Sequence, residues 1–154
     1  MSSDDGGTRS GGLSFRLGTI PVLMPWSSLL GIGLIAFFWM ERFAGVSVDR
    51  TQGILLAVGF ALLFYVSILG HELAHAWVAR AAGYPVRSIT LWWLGVFTVP
   101  ERRTTSAWRE GLIAASGPLS SILIGLAAWA VYVGADGADP RLGALASALA
   151  WSHA

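Results

Sequence analysis

The sequence predicts an all-α integral membrane protein with three transmembrane helices, a partial fourth helix and a small β-hairpin or re-entrant loop. Of the 154 residues, 55% are apolar, only 12% are charged and eight are Trp, which is far more hydrophobic than a soluble domain of this length. Three apolar runs reach the roughly 20 residues that a membrane-spanning helix needs. One of these runs also contains two His and a Glu.

Charge and cysteine content narrow the possible functions. The net charge is +1, and the ten positive residues are all Arg and are spread along the chain. No basic stripe is present, so we expect no nucleic-acid partner. The chain has no Cys, which leaves His and carboxylate groups as the available ligands for a metal ion.

The first apolar run covers residues 20–40, after an N-terminal region of different composition. Residues 1–19 begin with small polar residues, predicted to be a disordered tail rather than a cleavable signal peptide, and continue into an alternating pattern typical of a short surface strand. Pro21 and Pro25 lie near the start of the first run, where a helix tolerates them. The predicted division is therefore a tail with a strand, followed by a membrane domain over residues 20–154.

Two further spans and a short last run follow. The second span continues from Gly53 to Ala82, where Gly83 and Pro85 are stop signals. The third covers residues 111–134 and has a smooth face of small residues every four positions, which predicts close contact with another helix: Gly117, Ser121 and Gly125. The last run is too short to cross a bilayer, so the chain is expected to be truncated within this helix.

The distribution of Arg residues predicts the orientation in the cell membrane. Seven Arg lie in the tail and in the connection over residues 80–110, and three lie in the other connections. By the excess of positive charge on the cytoplasmic side, we expect a multi-pass protein whose N-terminus is cytoplasmic. The connection is rich in β-branched and aromatic residues around Gly95, which indicates a small hairpin or re-entrant loop.

The segment HELAH, residues 71–75, is the candidate active site. His71 and His75 are four residues apart, so on a helix they lie one turn apart on the same face and can bind one Zn²⁺ ion. Glu72 can then act as the general base that removes a proton from water. Shuffling the same residues gives this pattern on the order of once in a thousand sequences, and ionisable residues inside a membrane span are seldom structural.

Other catalytic classes fit the sequence less well. A thiol nucleophile is excluded, the Ser of Ala115–Gly117 lacks a Gly two places before it, and no Asp lies within an apolar run. Serine and aspartyl intramembrane proteases are therefore poor matches.

The HELAH motif late in a long apolar helix, the SITLWWLGV loop and the SGPLSSIL start of the next span together resemble the site-2 protease family of zinc-dependent intramembrane proteases. The resemblance implies that His71 and His75 are zinc ligands, that Glu72 is the catalytic base, and that the substrates are transmembrane segments of other proteins, cleaved in regulated proteolysis. Ser121 occupies the position where the family has Asn. The family's third ligand, an Asp in a Leu-Asp-Gly motif on a later helix, has no counterpart in this sequence.

Five other residues carry side chains that could replace the missing ligand. Asp136 and Asp139 follow the third span and are expected about 30 Å from the motif, at the opposite side of the bilayer. Nothing in the spacing of the remaining three recommends them: Glu101, Glu110 and His153. Two hypotheses remain open, an intramembrane zinc endopeptidase and a non-catalytic membrane homologue that acts by binding a partner or substrate.

Overall fold

The described residues form four helices and one four-stranded sheet. The computed structural model describes residues 11–93, 95–100, 106–135 and 139–153, so the polar start of the predicted tail lies outside the described residues. In chain order the elements are β1 (Gly12–Leu17), β2 (Ile20–Pro25), α1 (Ser28–Ala44), α2 (Arg50–Ala81), β3 (Val86–Trp92), β4 (Gly95–Pro100), α3 (Ala107–Gly134) and α4 (Pro140–Ser152).

The prediction of a helix over residues 20–40 is wrong in its first part. Residues Ile20–Pro25 form β2, and α1 begins at Ser28. Each of Pro21 and Pro25 disfavours the helical conformation of the residue before it. The segment instead pairs with β1 in an antiparallel hairpin that turns at Gly18, where φ is +61°.

The four strands form one sheet in the order β1-β2-β3-β4, so the protein is mostly helical rather than all-α. The short N-terminal strand and the hairpin in the 80–110 connection are both confirmed as strands. They are joined by a parallel contact between β2 and β3, in which Val22 is opposite Ile89. Both of these residues are fully buried.

The second predicted helix is confirmed with nearly the expected ends. At the N-terminus of α2, the Asp49 side chain accepts a hydrogen bond from the Gln52 amide at 2.8 Å, which satisfies an otherwise unpaired N–H group. At the other end Gly83 has φ +88°, a conformation that favours glycine and terminates helices. The 32 residues of α2 make it the central element, in contact with α1, α3 and α4.

The face of small residues on α3 packs against neighbouring helices, as expected. Gly117 and Ser121 face α2, and a side chain at Gly125 would come within 3.2 Å of His153 Cβ at the end of α4. The helix α4 is capped by Asp139, which accepts a hydrogen bond from the Arg141 amide at 2.9 Å.

Two of the described helices, α2 and α3, are long and apolar enough to cross a membrane. The helix α1 has 17 residues, about 25 Å at 1.5 Å per residue, which is shorter than the hydrocarbon core of about 30 Å. Along α3 the large apolar side chains point outward, and Leu123 is 67% exposed. A long helix that exposes its apolar side chains is suited to lipid rather than to water.

Candidate metal centre

The two histidines of the HELAH motif lie on the face of α2 that contacts α3. His71 and His75 are one helical turn apart, and their Nε2 atoms are 3.1 Å from each other. Both side chains are half-buried. The helical spacing therefore brings the two imidazole nitrogens together, as the sequence predicted.

The Nδ1 atom of each imidazole contacts a polar group on α3. The Nδ1 atom of His75 is 2.6 Å from the Ile113 carbonyl oxygen, and the Nδ1 atom of His71 is 2.8 Å from Ser121 Oγ. A carbonyl oxygen can only accept a hydrogen bond, so the His75 Nδ1–H donates and its Nε2 carries a lone pair. Such a hydrogen bond fixes the tautomer and orientation of a metal-binding histidine.

The lone pair of His75 Nε2 points toward His71 Nε2. At 3.1 Å the two nitrogens are within hydrogen-bonding distance, so His71 Nε2 either donates a proton to His75 Nε2 or shares a cation with it. Two nitrogen ligands at about 2.0 to 2.1 Å from a tetrahedral Zn²⁺ lie about 3.3 Å apart. The observed distance between the Nε2 atoms fits this arrangement.

Gly117 allows α3 to approach the two histidines closely. A Cβ atom built at this position would overlap His75 Nε2 and would come within 2.5 Å of His71 Nε2. Pro118 follows it inside α3 and cannot donate the usual hydrogen bond to the preceding turn. The space in front of the histidines therefore depends on the missing side chain at Gly117.

Glu72 completes the group of candidate ligands on α2. One oxygen of its carboxylate and the imidazole nitrogens of His71 and His75 all lie within 4.8 Å of one another. The side chain is half-buried. A carboxylate at this distance can bind a cation, or can exchange a proton with a water molecule held beside the histidines.

The other possible ligands from the sequence do not belong to this group among the described residues. His153 is outside the group, and its Nε2 is 2.8 Å from Ser67 Oγ on α2. Glu110 is exposed in the first turn of α3, and Asp139 is the exposed cap of α4. Glu101 and Asp136 lie outside the described residues.

Three contributions to the site cannot be predicted from the sequence alone. They are the Ile113 carbonyl, the Ser121 hydroxyl and the close approach at Gly117. The four-residue spacing of Gly117 and Ser121 predicted a helix contact but not its partner. No local pattern shows that the partner is the histidine face of α2.

A family comparison identifies the class of this protein. The profile of peptidase family M50 matches residues 59–150, which cover HELAH, the hairpin, α3 and most of α4. The chain belongs to peptidase family M50, the site-2 protease family of zinc metalloproteases. The resemblance stated from the motifs is confirmed, and zinc is the metal that the family implies for the His71, Glu72 and His75 group.

Two curated relatives have similar sequences. The chain is 36% identical over 100 residues to sll0528 of Synechocystis, which is named as a candidate zinc metalloprotease, with 64% of this chain and 26% of that protein covered. It is also 36% identical over 97 residues to Rip3 of Mycobacterium tuberculosis, which is likewise named as a candidate zinc metalloprotease. This match covers 63% of this chain and 24% of Rip3. The chain therefore spans about a quarter of the length of these relatives.

A solved structure has the same fold. The site-2 protease from Methanocaldococcus jannaschii superimposes with a TM-score of 0.59 at 21% sequence identity, covering 92% of this chain and 63% of that chain. At this level of identity the match concerns the arrangement of helices and strands. It extends the similarity beyond residues 59–150 to nearly the whole chain.

Proposed function

We propose that this chain carries the metal-binding part of an intramembrane zinc endopeptidase that cleaves transmembrane segments of other membrane proteins in regulated proteolysis. The observation that carries the proposal is the 3.1 Å distance between the Nε2 atoms of His71 and His75, with Glu72 beside them, inside an apolar helix. Ionisable residues at such a position are costly unless they serve a site. Membership of a zinc metalloprotease family supports the same conclusion.

In this proposal His71 and His75 hold the zinc through Nε2, and the third ligand comes from another segment. Zinc, when bound, acts as a Lewis acid that polarises the substrate carbonyl and lowers the pKa of water. Glu72 removes the proton from the attacking water and later transfers it to the leaving nitrogen of the peptide bond. Its position next to His71 places the carboxylate beside the metal site, because successive helical residues are about 100° apart.

The proposed protein crosses the cell membrane several times with a cytoplasmic N-terminus. Besides α2 and α3, α1 is the proposed third crossing, because its Phe37 and Phe38 are 65% and 76% exposed. The seven Arg on one side against three on the other support the orientation. His71 is ten residues from the end of α2, about 15 Å along the helix, so the site lies toward the cytoplasmic face.

The metal ligands are tested by zinc analysis of the purified chain. We expect zinc content or zinc affinity to fall to background in the His71→Ala, His75→Ala double variant, because two of the ligands are lost. The matched control is Glu41→Gln, which changes an exposed residue on α1 and should bind zinc as the wild type does. Equal zinc binding in the double variant and in the wild type would contradict the proposed site.

The catalytic role of Glu72 is tested with Glu72→Gln in the full-length protein reconstituted in liposomes with a membrane-embedded substrate. The variant keeps the shape of the side chain and removes the basic oxygen, so we expect cleavage to fall by about 10²- to 10⁴-fold while zinc content stays unchanged. Glu41→Gln, at an exposed position on α1, is the control. Cleavage by Glu72→Gln at the wild-type rate would contradict the role of Glu72 as the base. No cleavage by the zinc-loaded wild type would favour the non-catalytic alternative, a homologue that acts by binding.

A further inference from the structure

The hydroxyl of Ser121 on α3 makes the shortest side-chain contact with the two histidines from another helix. We propose that Ser121 is a positioning residue for His71, which holds the imidazole so that Nε2 faces the metal. This inference rests on the proposed metal site and goes further, because it assigns a role to a residue on a different helix. The Ser121 Oγ atom is 2.8 Å from His71 Nδ1, across 50 positions of sequence.

The chemistry of a metal-binding imidazole requires such a partner. When Nε2 of a neutral histidine binds a metal, the proton lies on Nδ1 and needs an acceptor. In the contact between two apolar helices an unpaired N–H group is costly. The Ser121 hydroxyl can accept this hydrogen bond because an O–H group rotates and serves as donor or acceptor.

The other two serines on the same part of α3 behave differently. Ser116 Oγ donates to the Ile113 carbonyl at 2.6 Å and lies at the longer distance of 3.4 Å from His75 Nδ1. Ser120 Oγ donates to the Gly117 carbonyl at 2.8 Å. Both bonds return to the serine's own helix, which is the usual local hydrogen bond of a helical Ser. The short bond of Ser121 reaches instead across to α2. Ser121 therefore has a role that its neighbour Ser120 lacks.

The hydrogen-bond partners of the two histidines differ in whether a substitution can remove them. The nearest partner of His75 Nδ1 is the backbone carbonyl of Ile113 at 2.6 Å, which is present whatever the side chain at position 113. The partner of His71 is a side chain, so a substitution at residue 121 can weaken the hold on one ligand. Ser116 Oγ also lies 3.4 Å from His75 Nδ1, but the short side-chain hydrogen bond to the site is the one at Ser121.

The experiment compares Co²⁺ and Zn²⁺ binding to the full chain in detergent, by competition with a chromophoric chelator at fixed pH. We expect Ser121→Ala to weaken metal binding about 10- to 100-fold, the usual effect of removing a hydrogen-bond partner of a metal-binding histidine. Ser121→Thr keeps the hydroxyl and should stay close to the wild type. Ser120→Ala removes a serine from the adjacent position and should also bind as the wild type does.

Two further measurements separate positioning from a loss of structure. The visible spectrum of bound Co²⁺ should change in Ser121→Ala but not in Ser120→Ala, because only the first variant frees the His71 ring to turn. Helix content and thermal stability are measured in the same samples. Wild-type affinity in Ser121→Ala, or equal losses in Ser121→Ala and Ser120→Ala, would overturn the inference.

The histidine double variant shows which proposal has failed. If His71→Ala, His75→Ala abolishes metal binding while Ser121→Ala leaves it unchanged, the metal site stands and the role of Ser121 is rejected. If the double variant binds metal as tightly as the wild type does, the proposed metal site itself is rejected. A loss in the double variant, together with an intermediate loss in Ser121→Ala and rescue by Ser121→Thr, supports both.

Discussion

The space between His71, His75 and Gly117 is so small that one added methyl group would fill it. The two imidazoles come from one helix and the bare backbone of Gly117 comes from another. Interiors packed at this density respond to the addition of one carbon atom. The site therefore depends on an absent side chain as much as on the ligands themselves.

The substitution Gly117→Ala tests this dependence. Because the added Cβ would overlap His75 Nε2 and lie within 2.5 Å of His71 Nε2, we expect zinc binding to be lost and the helix pair to be destabilised by about 1–3 kcal/mol. The measurements are zinc affinity and thermal unfolding in detergent.

Its control is Gly111→Ala on the same helix, where an added Cβ would meet no atom within 4 Å. There the gain in helix propensity, up to about 1 kcal/mol, should be seen without any effect on zinc. Normal zinc binding by Gly117→Ala would mean that α2 and α3 are further apart than the structure has them.

At the scale of elements, the end of β3 is hydrogen-bonded to both α1 and α2. The buried Ser28 Oγ lies 2.8 Å from the Leu91 carbonyl oxygen and 2.7 Å from the Pro25 carbonyl oxygen, so its one proton is shared between the two acceptors. Tyr65 Oη on α2 lies 3.3 Å from the Trp92 carbonyl oxygen. These bonds hold the β3–β4 hairpin beside the helix that carries the HELAH motif, so the position of the hairpin and that of the site are linked.

The close contact of α1 with Tyr65 and the hairpin is tested with Gly31→Ala on α1. The added Cβ would overlap the Tyr65 hydroxyl and lie 2.5 Å from the Trp93 carbonyl oxygen, a backbone atom that cannot move alone. We expect the free energy of unfolding to fall by about 1–3 kcal/mol, as measured by thermal or denaturant unfolding.

Gly33→Ala, two residues further along α1, provides the comparison because its Cβ would enter open space. It should leave the stability unchanged or raise it slightly. Equal stability of the two variants would show that Gly31 does not form a close contact with the hairpin.

At the scale of the whole molecule, the orientation of the chain in the membrane can be measured with single cysteines, because the natural sequence has none. We expect Val48→Cys, at a position 79% exposed between α1 and α2, to react only from outside the cell. Ala81→Cys, at the exposed end of α2, should react only from the cytoplasmic side. The expectation follows from the excess of Arg in the tail and in the 80–110 connection.

An impermeant thiol reagent applied to intact cells and to inverted vesicles distinguishes the two sides. The cysteine-free parent protein reports the background. Labelling of Val48→Cys only in inverted vesicles would reverse the orientation and would place the HELAH motif toward the outer face.

The sequence by itself determined the features that depend on local spacing. The period of the helix places His71 and His75 on one face of α2. Gly83 ends that helix with a positive φ, a conformation that residues with a side chain seldom adopt. The chemistry of His and Glu in an apolar run was sufficient to indicate a metal site. The motifs around them were sufficient to indicate the family, which the profile match confirms.

The tertiary structure decided the features that join distant segments. The tail strand and the hairpin form one sheet through the contact of Val22 with Ile89, and α3 supplies Gly117 and Ser121 to the histidines of α2. These partners are separated by dozens of residues, so no periodicity within either segment specifies them. They are selected by the packing of whole elements, in which a small residue on one helix allows the polar group of another to come within hydrogen-bonding distance.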